Sequence, residues 1–290
     1  MIEHVIPTAV PAMPLEKYMK RAWPMTPGRV FRDLFKKKDV RINGVKSDGK
    51  TPVQGEDVLL IYADAKWFEP APDILWTDDK LIVAVKPQGL PVDVDQDGVG
   101  ADTLLTRLQR RFPEARLCHR LDAATGGIVL AAADDTIHAQ AFEAFKTHHI
   151  HKVYHALALN RFDQKQGTLH AFLMKDARRS EVRVLHQSRP GAKPIETVYR
   201  AGDAAAPGVY NVWLTPVTGR THQLRALLAD FGHPLLGDDK YGDRAANRQR
   251  PGVPLCLWHE KLSIPDDSPL VDYRGRVFES PAPIWILKEE

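Results

Sequence analysis

Two cysteines in 290 residues are too few for a disulfide-built scaffold. Both Cys118 and Cys256 lie in apolar, strand-like surroundings, so buried reduced thiols are expected rather than a bridge or a metal site. No run of eighteen apolar residues occurs, and no membrane-spanning helix is expected. The amino terminus carries Glu3, His4, Pro7 and Pro11 and lacks the charged-then-apolar order of a secretory signal, which makes the cytoplasm the expected location. No period of 20 to 50 residues repeats, which excludes a solenoid. The segment His119-Arg120-Leu121-Asp122 superficially matches a kinase catalytic loop, but the spacing is wrong and no glycine-rich phosphate loop precedes it. His148, His149, His151 and His155 have no carboxylate or thiol at ligand spacing, and strand alternation sends them to different faces, so no metal is expected.

What is present is enough apolar residue, 43%, for a real core, and a length that suits roughly two domains. The net charge is only +3, yet it is unevenly placed. Between Pro14 and Lys50 stand eleven basic residues (Lys17, Lys20, Arg21, Arg29, Arg32, Lys36, Lys37, Lys38, Arg41, Lys46 and Lys50) against Glu16, Asp33, Asp39 and Asp48, a surplus of seven. A basic block on an otherwise slightly acidic chain fits either a solvated helix face or a nucleic-acid-binding module.

Residues 1–13 read as a loose tail. Helical spacing follows from Leu15 to Trp23 and from Pro27 to Phe35, Asn43-Gly44 signals a hairpin, and Val58 to Tyr62 reads as a closing strand, giving a small α/β module over 14–63. Residues 64–72, with two prolines, read as a linker. From 73 to 290 the pattern predicts strands near 74–76, 81–85, 128–131, 153–159, 182–185, 197–200 and 209–214. Helices are predicted at 103–112, 136–145 and 221–231. Strands in mixed order without strict βαβ alternation predict an α+β domain on a mixed, largely antiparallel sheet.

Two segments stand out. His119-Arg120-Leu121-Asp122-Ala123-Ala124-Thr125-Gly126-Gly127 sets a cation and a carboxylate beside a glycine pair at the mouth of the apolar run Ile128-Val129-Leu130-Ala131. A carboxylate there is either tied structurally to a nearby arginine or held as a nucleophile. Thr218-Gly219-Arg220-Thr221-His222-Gln223-Leu224-Arg225 runs from a strand into a helix start, where Thr218 could cap, Arg225 would project from the first turn, and free backbone amides could meet a phosphate.

Together with Lys86-Pro87-Gln88-Gly89 and Lys152-Val153-Tyr154, these segments resemble, in order and spacing, the four signature segments of the RluA-type pseudouridine synthases. The basic module is similar to the ribosomal-protein S-four-like RNA-binding domain that many members carry ahead of the catalytic domain. The resemblance covers roughly residues 14–263 and implies an isomerase that detaches uracil from ribose and rejoins it through a ring carbon, using no cofactor. It implies that Asp122 is the essential aspartate, that Arg225 pairs with it and keeps it ionised, and that Tyr154 stacks on the target base and assists proton removal. It implies that Arg120 enters the RNA where the uridine leaves. Thr125 would position the loop, and His119, Lys86 and Arg220 would face the RNA. Large-subunit ribosomal RNA is the implied substrate, transfer RNA the second choice, and a monomer the expected state. Two positions depart from the family pattern: Gly126, where serine is usual, and Trp258, where many members have histidine. The rival reading is a non-catalytic RNA-binding or ribosome-assembly factor on the same fold. The retained Asp122, Tyr154 and Arg225 argue against it, because a binder needs only phosphate contacts and shape.

Overall fold

The computed structural model describes residues 1–94, 98–176 and 181–285. The chain separates into two compact units, one of residues 1–74 and 89–116 and one of residues 75–88 and 117–290.

In the first unit, β1 (Ile2–Val5), β2 (Met13–Pro14), α1 (Leu15–Ala22), α2 (Gly28–Lys37), β3 (Val40–Ile42), β4 (Val45–Ser47), β5 (Pro52–Val53) and β6 (Val58–Ile61) follow one another. The strand order in the main sheet is β1-β6-β3-β4. Leu15, Tyr18, Met19 and Ala22 recur at helical spacing and are all buried, so α1 presents one apolar stripe to the core. Asn43 and Gly44 both take positive φ, 49° and 85°, which is what a two-residue hairpin between β3 and β4 requires. Ten of the eleven basic residues of 14–50 are exposed and Arg41 is half-buried, so the charge surplus lies on the surface of this unit.

Two expectations are corrected here. Residues 1–13 are not a loose tail: β1 pairs antiparallel with β6 from Ile2↔Ile61 to Val5↔Val58, and Ile2, Ile6 and Val10 are buried in the same core as Tyr18 and Trp23. Those three apolar residues outweigh Pro7 and Pro11, which fall after the strand. The unit also extends past residue 63, because Val99 belongs to its core and residues 89–116, including α3 (Leu104–Gln109), belong to it.

The second unit carries β7 (Asp73–Thr77), β8 (Leu81–Lys86), β9 (Arg116–Leu117), β10 (Gly126–Ala132), α4 (Asp135–Lys146), β11 (His151–Leu159), β12 (Gln166–Asp176), β13 (Glu181–Leu185), β14 (Lys193–Ala206), β15 (Val209–Pro216), α5 (Gln223–Asp230), α6 (Arg244–Gln249), β16 (Leu257–Ser263) and β17 (Val277–Glu279). They form an eleven-stranded sheet with main order β13-β12-β14-β15-β11-β16-β10-β8-β7. β10 and β16 run parallel, whereas β8, β11, β12, β14 and β15 join their neighbours antiparallel, as a mixed sheet was expected to. Every residue of β10 is buried, which accounts for its unbroken apolar sequence. Ile137, Ala141 and Ala144 of α4 share a core with Ile128 and Leu130, and Asp134 caps that helix by accepting from the Ile137 amide. Asp230-Phe231-Gly232, a tripeptide also found in kinases, is here the end of α5, with Gly232 at φ 83°. Both cysteines are buried as thiols, with no disulfide between them.

Candidate active site

The Asp122 loop sits between β9 and the start of β10 and is pinned from below. The Thr125 amide donates to the Asp122 carbonyl at 3.0 Å, closing a turn. At the end of β8, the Lys86 ammonium donates to the Ala123 carbonyl at 2.9 Å and to the Pro87 carbonyl at 3.0 Å, and the Gln88 amide donates to the Ala124 carbonyl at 3.1 Å. Gln88 also donates to the Leu255 carbonyl. These bonds leave Asp122 raised, its side chain 26% exposed. Gly127 has φ 110°, and a Cβ there would stand 2.3 Å from the His259 carbonyl oxygen, so only glycine lets β10 approach β16 at this point.

Arg225, 4% exposed, is held chiefly by a different acid from the one expected. Its Nε and Nη2 donate to the two carboxylate oxygens of Asp238 at 2.8 and 2.7 Å, and Nη2 also donates to Asp239 at 3.1 Å. This clamp leaves Nη1 3.6 Å from Asp122 Oδ2. Burial acts to raise the Asp238 carboxyl, but the Arg225 hydrogen bonds and charge outweigh it and hold the group below its ordinary value. The result is a fixed guanidinium, already paired, that still presents one edge to Asp122. The Asp238 carboxylate also accepts from the backbone amides of Lys240 and Tyr241, so the same acid fixes the loop that follows.

Tyr154 lies on β11, where a bulge between Val153 and Tyr154 interrupts the pairing with β16. Its ring stacks on that of His259, centroids 4.6 Å apart and planes 15° apart. Burial, followed by the charge of Asp122, raises the Tyr154 phenol above its ordinary value, so the neutral phenol is the form present. His259 donates from Nδ1 to the Ile128 carbonyl at 2.6 Å, and burial lowers its ring to about 3.

Three expectations about the surroundings change. Lys86 is fully buried and does not face outward; its bonds hold the Asp122 loop, and burial lowers the ammonium to about 7 against the pull of Asp122. The His119 ring turns inward, accepts from the Leu130 amide at 3.0 Å and packs 4.4 Å from the Phe145 ring. Burial, then His259 and Lys152, lower that ring well below its ordinary value. Thr218 does not cap α5. The residue before the helix is His222, and the Thr218 hydroxyl accepts from the Glu196 amide and donates to the Gln223 side chain instead of meeting a helix amide. The Arg220 amide is likewise taken, by the Gln223 side chain at 3.1 Å. Thr125 is buried within the loop, whereas Arg120 and Arg220 are exposed. His155 of the histidine-rich stretch bonds Asn211 at 2.8 Å and stacks on Trp213. Among the described residues no group of three His, Cys, Asp or Glu side chains is arranged to hold a metal ion.

Sequence reasoning missed Asp238, Tyr241 and His259. Of these, only Asp238 left a trace, in the acidic pair Asp238-Asp239 that follows Gly237.

Comparison with known proteins places this geometry in context. Residues 80–230 match the family described as RNA pseudouridylate synthase. The chain is 33% identical over 197 residues to the dual-specificity RNA pseudouridine synthase RluA of Escherichia coli K12, spanning 68% of this chain and 88% of that one. It is 30% identical over 247 residues to the ribosomal large subunit pseudouridine synthase C of Vibrio cholerae, spanning 79% and 77%. Among solved structures it is similar to human RNA pseudouridylate synthase domain containing 1, with a TM-score of 0.61, 26% identity, and 77% of this chain and 87% of that one covered.

Proposed function

This chain belongs to the RNA pseudouridylate synthase family as an RluA-type isomerase of uridine in RNA, and on that premise we propose that Asp122 is its nucleophile, Arg225 its fixed cation and Tyr154 its base-stacking wall. The observation that carries the reading is the placement of Asp122 Oδ2 3.6 Å from an arginine already clamped by Asp238. A carboxylate held by one edge of an immobilised guanidinium keeps an oxygen free to attack. In the isomerisation the N1–C1′ bond breaks, a C5–C1′ bond forms, the C5 proton departs and N1 takes one up. The atoms and electrons balance without an oxidant, a reductant or a nucleotide. Asp122 holds the detached fragment while the base turns, and the Tyr154 face opposite His259 supports that base. Exposed Arg120 fills the gap left by the extruded uridine, and exposed Arg220 also faces the RNA.

The favoured substrate is large-subunit ribosomal RNA, in line with the Vibrio cholerae relative's name. The basic first unit, read as an S-four-like domain, adds salt-dependent phosphate affinity through its exposed lysines and arginines. The test is direct. Purified protein incubated with ribosomal RNA carrying C5-tritiated uridine should release tritium without added ATP or metal, and mapping pseudouridine in total RNA with and without the gene should locate the site. Tight RNA binding with no product on any cellular RNA would overturn the reading.

A further inference from the structure

Asp122 Oδ2 has a second close neighbour besides Arg225. His222 Nε2 lies 3.7 Å from it, nearly the same distance as the guanidinium edge, and the His222 side chain is only 12% exposed. The other ring nitrogen, Nδ1, is 2.9 Å from the Tyr241 hydroxyl. The Tyr241 oxygen in turn accepts from the Val182 amide at 3.0 Å. Because Nε2 faces the Asp122 carboxylate, the ring proton belongs on Nε2, and Nδ1 is then the acceptor for the Tyr241 hydroxyl, whose oxygen accepts from Val182. The opposite tautomer would set the Nε2 lone pair against a carboxylate, an electrostatic conflict.

The backbone supports a dedicated role. His222 has φ 55° and ψ 15°, a left-handed conformation for a side-chain-bearing residue, immediately before α5. Such a conformation persists where surrounding contacts enforce it, and it tends to gather at sites of function. Here it turns the imidazole from the helix end toward the Asp122 loop. Arg225, three residues on, reaches the same oxygen from the first turn of the helix. The charged and titratable groups around the ring are Asp122, Arg225, Lys240 and Asp238, with Tyr241 at its far side.

We propose that His222 is a positioning residue for the isomerisation: held by the Tyr241 hydroxyl in its Nε2–H tautomer, it donates toward Asp122 Oδ2 and, with Arg225, aims the carboxylate at the substrate. Both donors lie slightly beyond hydrogen-bond range of Oδ2, an arrangement that tightens when substrate fills the site. The neutral imidazole supplies direction without adding a second full positive charge that would blunt the nucleophile. The proposal rests on Asp122 being the nucleophile.

Asparagine separates this role from a structural one. It tolerates the left-handed conformation and can accept from Tyr241 at the Nδ1 position, but it is too short to reach Asp122. His222→Asn should therefore keep its melting temperature and its KM for RNA while kcat falls by about 10- to 100-fold, the value of one hydrogen bond to a charged group. His222→Gln, whose terminal amide reaches the Nε2 position, should recover part of that loss. Tyr241→Phe, which removes the hydroxyl that fixes the tautomer, should lower kcat without changing KM. Wild-type kcat in His222→Asn, or a fall in activity matched by a fall in melting temperature in both Asn and Gln variants, would overturn the proposal. Asp122→Asn assayed alongside keeps the two readings apart: if it is active, the nucleophile assignment fails, whereas if it is inactive and His222→Asn is not, only the role of His222 fails.

Discussion

Gly126 and Trp258 are direct cross-strand partners in the parallel pairing of β10 with β16. A Cβ at residue 126 would lie 2.2 Å from Trp258 Cζ3 and 2.4 Å from Cε3, with Gln88 Cγ at 2.9 Å. The indole cannot swing aside freely, since it is buried and its Nε1 donates to the Ser280 carbonyl at 2.8 Å. Gly126 and Trp258 are thus one packing choice, in which the indole fills the space a side chain at 126 would take. Gly126→Ser alone should overpack the strand pair and destabilise by about 1–3 kcal/mol. Trp258→His alone should leave a void and cost about 2–4 kcal/mol. In the double variant the serine occupies part of that void, so the combined loss should fall short of the sum by about 1–2 kcal/mol. Urea unfolding followed by circular dichroism on the four proteins reads the coupling. Additivity within about 0.5 kcal/mol would mean that the two positions do not share this space.

Asp238→Asn leaves the buried Arg225 guanidinium without its bidentate carboxylate and should cost about 3–5 kcal/mol; thermal unfolding reads the loss, and pseudouridine formation should fail as Arg225 leaves its position. Because His259 is lowered from 6.5 to about 3, the unfolded chain binds a proton there that the native state refuses. Its contribution is complete above about pH 6.5 and is lost as pH falls toward 3, so urea midpoints should drop between pH 7 and 4, with a shallower drop in His259→Phe. Exposed Lys36, Lys37 and Lys38 replaced together by glutamate should weaken RNA binding at low salt and flatten the plot of log affinity against log salt by about one for each phosphate no longer neutralised; an unchanged slope would remove this face from the RNA interface.

Local signals carried much of the architecture. Asn43-Gly44 marked its hairpin, the spacing of Leu15, Tyr18, Met19 and Ala22 marked α1, and the unbroken apolar run of β10 marked a strand buried on both faces. What escaped depends on contacts distant in sequence. Nothing near Ile2 announces Ile61 as its partner, and a lysine following an apolar strand reads as exposed until Ala123, 37 residues away, supplies the carbonyl that buries it. The site divided along the same line. Asp122, Tyr154 and Arg225 stand in recognisable segments, but Asp238, the chief partner of Arg225, is set by the return of the chain after α5. His222 stood within a recognised motif, yet only its ring contacts with Tyr241 and Asp122 give it a task.

If Asp122 is the nucleophile, chemistry and RNA binding separate at this one residue. The most direct measurement compares wild type with Asp122→Asn on the same C5-tritiated ribosomal RNA, with binding measured in parallel. Tritium release by the wild type, none by the variant, and equal RNA affinity is the predicted result. Release by Asp122→Asn at the wild-type rate would contradict it.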